Sequence, residues 1–263
     1  MLPTITTRDT SGRAHSFLGS PSSPAYNRAH RRPRSLSSVP TYLRRLVNFS
    51  QMDFEFALWQ MLYLCISPQR LYRNIYYHKQ TKNQWARDDP AFVVLIAACL
   101  SVTAIAYGIA YKLGALGIIG ALLFMIFIDF LLVGVVVATA VWFFANRYLI
   151  QHHTHSVEQS VEWAYAFDVH CNSFFPMFLV TYVFQFFFLA IVTKDTWVGR
   201  ILGNTLYLLG TSYYVYITFL GYKALPFLKN TTVFLYPIGV IVILYVISLL
   251  GFNVSKVILD LYF

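Results

Sequence analysis

The residues with the greatest potential for chemistry lie between Gln151 and Phe175, a polar segment flanked by two long apolar stretches. This segment contains four of the chain's seven histidines together with three carboxylates and a thiol: His152, His153, His155, His170, Glu158, Glu162, Asp168 and Cys171. Imidazole, carboxylate and thiolate groups are the ligands that zinc accepts in proteins. If the chain does chemistry, we expect it here. If it only binds partners, this segment is the expected binding face.

Spacing does not favour a metal site in this polar segment. His155, Glu158 and Glu162 recur at intervals of three and four residues, which places them on one face of a helix. The sequence contains neither the HExxH pattern nor a pair of CxxC motifs. A hydrogen-bonded polar network is the favoured interpretation, so we expect no catalytic residue, cofactor or metal ion. The candidate partner surface consists of Trp163, Asp168, His170 and Asn172.

Asp129 is a second candidate, because it lies near the centre of a long apolar stretch. A carboxylate at the middle of a bilayer costs about 2.5–3.5 kcal/mol on insertion scales unless it is paired or protonated. A proton or ion relay would need a second acidic residue in another apolar stretch, and none is present. The favoured interpretation is a hydrogen-bonded aspartate that joins two spans, through Gln185, Thr181 or a tyrosine of the fourth span.

Composition indicates a membrane protein. The chain is 57% hydrophobic, 18% aromatic and 12% charged, whereas soluble domains carry roughly 25% charged residues. After Pro90, five apolar stretches are long enough to cross a bilayer. The predicted fold is therefore all-α and polytopic, with a membrane domain over residues 90–263 and spans at about 91–111, 115–145, 174–192, 201–225 and 233–252.

Two regions precede the spans. Residues 1–40 are rich in Ser, Pro and Arg and predict a disordered basic tail, in which Ser35 and Ser37 are candidate phosphorylation sites because each follows an Arg by three residues. Residues 41–89 predict a helical region at the membrane interface. Its apolar run from Phe56 to Ile66 is too short to span a bilayer, so we expect an interfacial or re-entrant helix that ends near Ser67.

The distribution of basic residues predicts the orientation. Residues 1–90 contain 13 Lys and Arg against 5 Asp and Glu, whereas residues 91–263 contain 7 against 6. The positive-inside rule then places the N-terminus in the cytosol. With five spans, the C-terminus lies in the lumen. The glycosylation sequon at Asn253 would be luminal and close to the membrane, and the one at Asn230 would be cytosolic and unused.

Long segments of this sequence resemble a known family. The residues that carry the resemblance are MDFEFALWQMLYLCISPQRLYRNIYYHKQTKNQWARDDPAF, the span around Asp129, and VEWAYAFDVHCNSFFP. On these segments the chain resembles the uncoordinated-fifty (Unc-fifty) family of Golgi membrane proteins, over about residues 42–263.

The resemblance implies five spans, a cytosolic N-terminus and residence in the Golgi membrane, with the inner nuclear membrane for some members. It also implies a non-enzymatic role in vesicular transport, notably the surface delivery of nicotinic acetylcholine receptors, and a link to guanine-nucleotide exchange factors for Arf GTPases. The family has no established catalytic residues to carry over. Membrane lipid, Arf exchange factors and receptor cargo are the partners implied.

Two alternatives remain open at this point. The resemblance also implies RNA binding, for which the basic residues between 28 and 87 are the expected contacts, because phosphates are bound by Lys and Arg. A membrane-embedded enzyme or transporter would use Asp129 and the histidine-rich segment, and would need bound metal or protons.

Overall fold

The computed structural model describes residues 52–73, 84–151 and 159–263. The predicted tail with Ser35 and Ser37, most of the basic region and the residues His152, His153, His155 and Glu158 lie outside the described residues. The described parts are helical almost throughout, as the composition predicts. In these parts of the chain, one isolated antiparallel β-bridge pairs Ile150 with Leu228.

The first described helix, α1, covers Phe54–Ile66 and forms where the interfacial helix is predicted. Asp53 caps it, because its carboxylate accepts a 2.9 Å hydrogen bond from the Phe56 backbone N–H. One face, with Ala57, Met61 and Leu64, is buried against the bundle. The opposite face is apolar and exposed, and it consists of Phe56, Leu58, Trp59, Leu62 and Ile66.

A helical hairpin follows. Helix α2 covers Ala91–Ala110 and begins directly after Pro90, whose fixed φ suits a helix start. After a turn at Lys112, where φ is +57°, the chain continues as α3 (Ala115–Leu123), π1 (Phe124–Leu132), α4 (Val133–Phe144) and π2 (Ala145–Leu149), where π1 and π2 are π-helical. These four segments form one helical run of 35 residues.

The second half of the bundle is built from further helices. They are α5 (Trp163–Phe178), the π-helical segment π3 (Leu179–Phe184), α6 (Gln185–Phe187), α7 (Leu189–Val192), α8 (Trp197–Lys223), a 3₁₀ turn (Thr231–Leu235), α9 (Tyr236–Leu249) and α10 (Val254–Tyr262). Helix α5 packs between α4 and α8 and forms the centre of the bundle. Helix α9 packs mainly on α8 and is mostly exposed.

Three of the described helices are long and apolar enough to cross a membrane: Ala91–Ala110, Ala115–Leu149 and Thr231–Leu249. The chain is therefore a polytopic membrane protein with an all-α fold. The predicted spans 174–192 and 201–225 coincide with helical segments of α5 to α7 and α8. The total of five spans stays a prediction.

The antiparallel helices give the bundle two ends. We call the end that contains Arg87, Trp163 and Lys223 the Arg87 end, and the end that contains Lys112 and Asp195 the Asp195 end. An aromatic core at the Arg87 end packs Trp85 against Tyr165 and Phe227, with ring centroids 6.2 Å apart in both pairs. At the Asp195 end, Lys256 of α10 forms a 2.6 Å ion pair with Asp195.

Candidate functional site

A network centred on Arg87 links the segment before α2 to helix α5. The backbone N–H of Arg87 donates a 2.6 Å hydrogen bond to Oδ2 of Asp168. Its guanidinium donates to Oδ1 of Asn172, one turn further along α5, and lies 4.2 Å from the ring centroid of Phe92. The Asn172 amide in turn donates to the hydroxyl of Tyr72 at 3.3 Å. Residues far apart in the sequence are thus fixed to one face of α5.

This environment raises the pKa of the Asp168 carboxyl group. Burial raises the pKa of Asp168 to about 6, while the positive charge and backbone N–H of Arg87 act in the opposite direction. The negative charges of Glu162 and Asp88 add to the increase. Burial dominates because a charge loses its hydration when it leaves water.

His170, half a turn beyond Asp168, faces the long helical run on its other side. Its Nε2 lies 3.3 Å from the carbonyl oxygen of Phe130, and its Nδ1 lies 2.8 Å from the hydroxyl of Tyr214. A carbonyl oxygen can only accept, so Nε2 carries the proton and Nδ1 accepts from the tyrosine. Burial lowers the pKa of His170 to about 4, which keeps the ring neutral at neutral pH.

The close approach of His170 depends on a glycine. A Cβ atom at position 134 would lie 2.6 Å from both Cδ2 and Nε2 of the His170 ring. Such a distance is well below van der Waals contact. Gly134 therefore allows α4 and α5 to pack closely enough for the hydrogen bond between His170 and Phe130.

These contacts correct the predicted partner surface. Asp168, His170 and Asn172 are buried, whereas Trp163 is 40% exposed. The physical reason differs between them. The segment with Arg87 lies on α5 and covers Asp168 and Asn172, whereas His170 is buried against the long helical run and α8. The contact with Arg87 joins residues about 80 positions apart, and the local pattern of α5 contains no signal for it.

Asp129 makes its contacts inside the bundle. It lies in π1, and Oδ2 accepts a 2.6 Å hydrogen bond from the hydroxyl of Tyr182 in π3. The hydroxyl of Tyr262, from α10, lies 3.3 Å from that of Tyr182. The prediction that Asp129 joins two spans thus matches the geometry, but the partner is a tyrosine of the third predicted span, not Gln185, Thr181 or a tyrosine of the fourth.

Most of the chain is similar to known proteins. A family model described as the UNC-50 family matches residues 42–263. The chain belongs to the UNC-50 family. It is 50% identical to the unc-50 homologue of Dictyostelium discoideum over 228 residues, which cover 86% of this chain and 87% of that protein.

Animal members of the UNC-50 family are equally similar. The homologue of Rattus norvegicus is 51% identical over 223 residues, and that of Homo sapiens is 50% identical over 223 residues. In both cases the match covers 84% of this chain and 85% of the relative. No solved structure matches the chain significantly. These UNC-50 relatives are named as unc-50 homologues, and the name specifies no enzymatic activity.

Two further buried polar groups of this UNC-50 member lie inside helices: Asn204 was not singled out from the sequence, and Gln185 was named only as a possible partner of Asp129. Asn204 in α8 donates to the hydroxyl of Ser248 at 2.9 Å and to the Phe252 carbonyl at 2.8 Å. Gln185 is completely buried, and within the described residues its amide atoms have no hydrogen bond of normal length. The sequence signal for both residues is a polar side chain inside an apolar span. Contacts between helices are needed to show that Asn204 has partners and that Gln185 has none of normal length among the described residues.

A small cavity adjoins His170. It is lined by residues of α4, α5 and α8, including Tyr214, Thr218 and Tyr222, and it has a volume of about 10 Å³. That volume corresponds to about one water molecule, whereas sites for small molecules occupy roughly 300–1,000 Å³. The cavity is therefore no substrate pocket.

The described residues contain no group of three or more His, Cys, Asp and Glu side chains arranged to hold a metal ion. Four candidate ligands, His152 to Glu158, fall outside the parts that the structure describes. Those that are described point elsewhere: Asp168 binds the Arg87 backbone and His170 binds Phe130 and Tyr214. The metal hypothesis thus has no support from the described half of the segment.

Proposed function

We propose that this UNC-50 member is a non-enzymatic trafficking factor of the Golgi membrane that supports the surface delivery of receptors such as nicotinic acetylcholine receptors. In this proposal its cytosolic face recruits an Arf exchange factor. The observation that carries the proposal is family membership over residues 42–263, since the resemblance implies this role. The geometry of the Arg87 end supports it and suggests which residues bind.

In this proposal the Arg87 end is the platform that binds the partner. Helix α1 is tied to the bundle at both ends: the Asp53 backbone N–H donates to Asp89 at 2.7 Å, and the Tyr213 hydroxyl donates to the Leu64 carbonyl at 2.9 Å. Its exposed apolar face is suited to the headgroup region of a bilayer, where amphipathic helices and tryptophans lie. The Arg87 network then fixes the following segment on α5, next to Trp163.

Trp163 is the best candidate for a contact residue on this platform. Its indole N–H donates to the Thr139 hydroxyl at 3.0 Å, and its ring stacks on Phe167 with centroids 5.7 Å apart. The ring is thus held in one orientation while 40% of the side chain is exposed. A partly exposed, preorganised tryptophan is typical of binding hot spots, because little rotamer entropy is lost on binding.

The proposal requires the Arg87 end to face the cytosol. The 13 basic residues before residue 91 support this orientation. In this orientation the platform is accessible to cytosolic proteins such as an exchange factor.

The experiment compares two exposed tryptophans at opposite ends of the bundle. Cells that lack the endogenous protein are complemented with wild type, Trp163→Ala or Trp197→Ala, and surface nicotinic receptor is measured together with proximity labelling of Arf exchange factors. Trp197 is a matched control, because it is 65% exposed and lies at the start of α8, at the Asp195 end. We expect Trp163→Ala to lose both readouts and Trp197→Ala to keep them.

Protein level and Golgi localisation are measured for each variant, so that a folding defect is recognised. A Trp163→Phe variant keeps an aromatic contact and should retain most activity. The proposal fails if wild type does not restore receptor delivery. Normal labelling and delivery by a well-expressed Trp163→Ala variant would exclude Trp163 as the contact residue.

A further inference from the structure

We infer that Asp129 is a docking point within the bilayer for a transmembrane helix of another protein that carries a lysine or arginine. This inference rests on the proposed function, in which membrane cargo must be bound, and it specifies the chemistry of that cargo. Four observations support it: the position of Asp129, its exposure, the nature of its internal partners and the distribution of basic residues.

Asp129 lies on the border between the packed and the exposed face of the long helical run. On one side, Met125 and Phe130 are completely buried in the bundle. On the other side, Phe127 and Leu132 are 55% and 51% exposed. Asp129 itself is partly exposed, so it lies where a helix that packs on the apolar outer face of the run would contact it.

The internal partners of Asp129 supply hydrogen bonds but no positive charge. Tyr182 donates to Oδ2, and the hydroxyl of Tyr262 lies beside that pair. Phenols are neutral donors. The ion pair of Lys256 with Asp195 is at the end of the bundle. The hydrogen-bond partners that the described residues offer to Asp129 are thus neutral phenols.

The chain has no basic residue to offer at this depth. No Lys or Arg occurs between Lys112 and Arg147, and none occurs in the stretches 91–111, 174–192 or 233–252. Arg200 and Lys223 lie near the two ends of α8. A second copy of this chain therefore cannot neutralise Asp129, and lipid headgroups lie at the interface and not at the middle of the bilayer. A different protein with a basic residue in its span is the occupant that fits.

The energetics favour such a pair. A carboxylate and a lysine or arginine are each unfavourable at the centre of a membrane helix. Pairing offsets both costs at once, since attraction between charges is strong where water is absent. The partner helix gains as much as this chain does, which makes the contact selective for basic spans.

The test uses the purified full-length protein in nanodiscs. The probe is a synthetic leucine- and alanine-rich helix of about 20 residues, long enough to span a bilayer, with one lysine at its centre. A matched probe carries leucine at that position. Binding is measured by energy transfer between labels on the probe and on the protein. We expect the lysine probe to bind at least about fivefold more tightly, as expected for polar contacts between membrane helices.

Three variants make the result specific. Asp129→Asn removes the charge with little change in shape and should bind both probes equally. Asp260→Asn removes an exposed carboxylate of α10 and should keep the preference for lysine. Tyr182→Phe removes the internal hydrogen bond but leaves the carboxylate, so it should also keep the preference.

Equal binding of both probes by the wild type would overturn the inference. A preference for lysine that persists in Asp129→Asn would overturn it as well, and so would Asp129-dependent self-association that excludes the probe. Because the nanodiscs contain no exchange factor, this assay is independent of the trafficking test. Failure of that test removes the proposed function and leaves the probe preference unchanged, whereas equal probe binding removes this inference alone.

Discussion

Asp129 and Tyr182 are joined by a 2.6 Å hydrogen bond, and each lies in a π-helical segment of its own helix. A π-turn shifts the backbone hydrogen bonds by one residue and often marks a functional position. Both segments also offer a carbonyl to a neighbouring side chain: Phe130 accepts from His170 and Tyr182 accepts from Tyr107. The wide turns thus coincide with polar contacts between helices.

Replacing Tyr182 with phenylalanine should destabilise the bundle. The variant keeps the ring but removes the hydroxyl that donates to Oδ2 of Asp129 at 2.6 Å, so the carboxyl group loses this hydrogen bond inside the bundle. Polar contacts between membrane helices contribute up to about 1.7 kcal/mol, so we expect a loss of about 1 kcal/mol in the free energy of unfolding. Denaturant unfolding in bicelles measures it.

The control for this change is Tyr148→Phe. Tyr148 is a strongly exposed tyrosine of π2, so removal of its hydroxyl should change the free energy of unfolding by less than about 0.5 kcal/mol. Equal stability of Tyr182→Phe and wild type would show that Asp129 does not depend on this hydrogen bond.

Gly134→Ala should destabilise the packing of α4 on α5. The new Cβ would lie 2.6 Å from two atoms of His170, so the ring or the helix must move. Overpacking of this kind costs about 1–3 kcal/mol. Gly239→Ala is the matched control, since a Cβ there has no atom within 4 Å, and alanine in a helix is favoured over glycine by about 1 kcal/mol.

A double mutant identifies the cause. In the background of His170→Ala the ring is absent, so Gly134→Ala should cost clearly less than in the wild type, with a coupling of at least about 0.5 kcal/mol. If the two substitutions change the free energy of unfolding additively, the His170 ring is not the side chain that Gly134 accommodates.

Much of the secondary structure could be predicted from the sequence, because long apolar runs with end signals determine it locally. Pro90 and the loop at Lys112 predict α2 at 91–111, and the helix covers Ala91–Ala110. The second run was predicted to end at residue 145 but continues to Leu149. The extension follows from tertiary contacts there: the Lys229 backbone N–H donates to the Leu149 carbonyl at 2.9 Å.

The candidate site was less predictable, for a physical reason. The sequence shows that Asp168 and Asn172 are polar and near a membrane, which fits either an exposed surface or a buried network. Only the docking of Arg87 decides between them, and a contact between distant segments leaves no local pattern. The π-helical segments were not predicted either, and two of their carbonyls accept from side chains of other helices, His170 and Tyr107.

Asp168→Asn should change how the stability of the protein depends on pH. The folded-state pKa of Asp168 is about 6, above its ordinary value of 3.8. The folded state therefore binds this proton more tightly than the unfolded chain, so the contribution is fully present below the unfolded pKa and is lost as the pH rises through about 6. Between about pH 7.5 and about pH 5 the wild type should gain about 1.4 kcal/mol from this group.

The measurement compares the free energy of unfolding of wild type and Asp168→Asn at both pH values. The asparagine oxygen can still accept from the Arg87 N–H, so the network keeps its shape while the titration is removed. The difference between the proteins then isolates Asp168 from Glu162, Asp88 and every other titrating group. Parallel pH profiles of the two proteins would contradict the expected shift.

Glycosylation tests the orientation of the bundle. Asn253 belongs to a sequon, but it is buried, donates to the Val192 carbonyl at 2.9 Å and accepts from the Lys256 N–H at 3.1 Å. We expect no glycan there on either side of the membrane, although the sequence alone predicts only its side. Asn230 is exposed at the Arg87 end, so it reports orientation, and a cytosolic Arg87 end leaves it unmodified.

Two insertion variants provide a positive signal for the luminal side of the bundle. The same flexible loop with one sequon is inserted after Lys112 or after Asn230, and a mobility shift that glycosidase removes is measured after expression in cells. If the basic N-terminal region holds the Arg87 end in the cytosol, only the Lys112 insertion is glycosylated, because only that turn faces the lumen. Glycosylation of the Asn230 insertion alone would reverse the orientation and remove the platform at Trp163 from reach of cytosolic exchange factors.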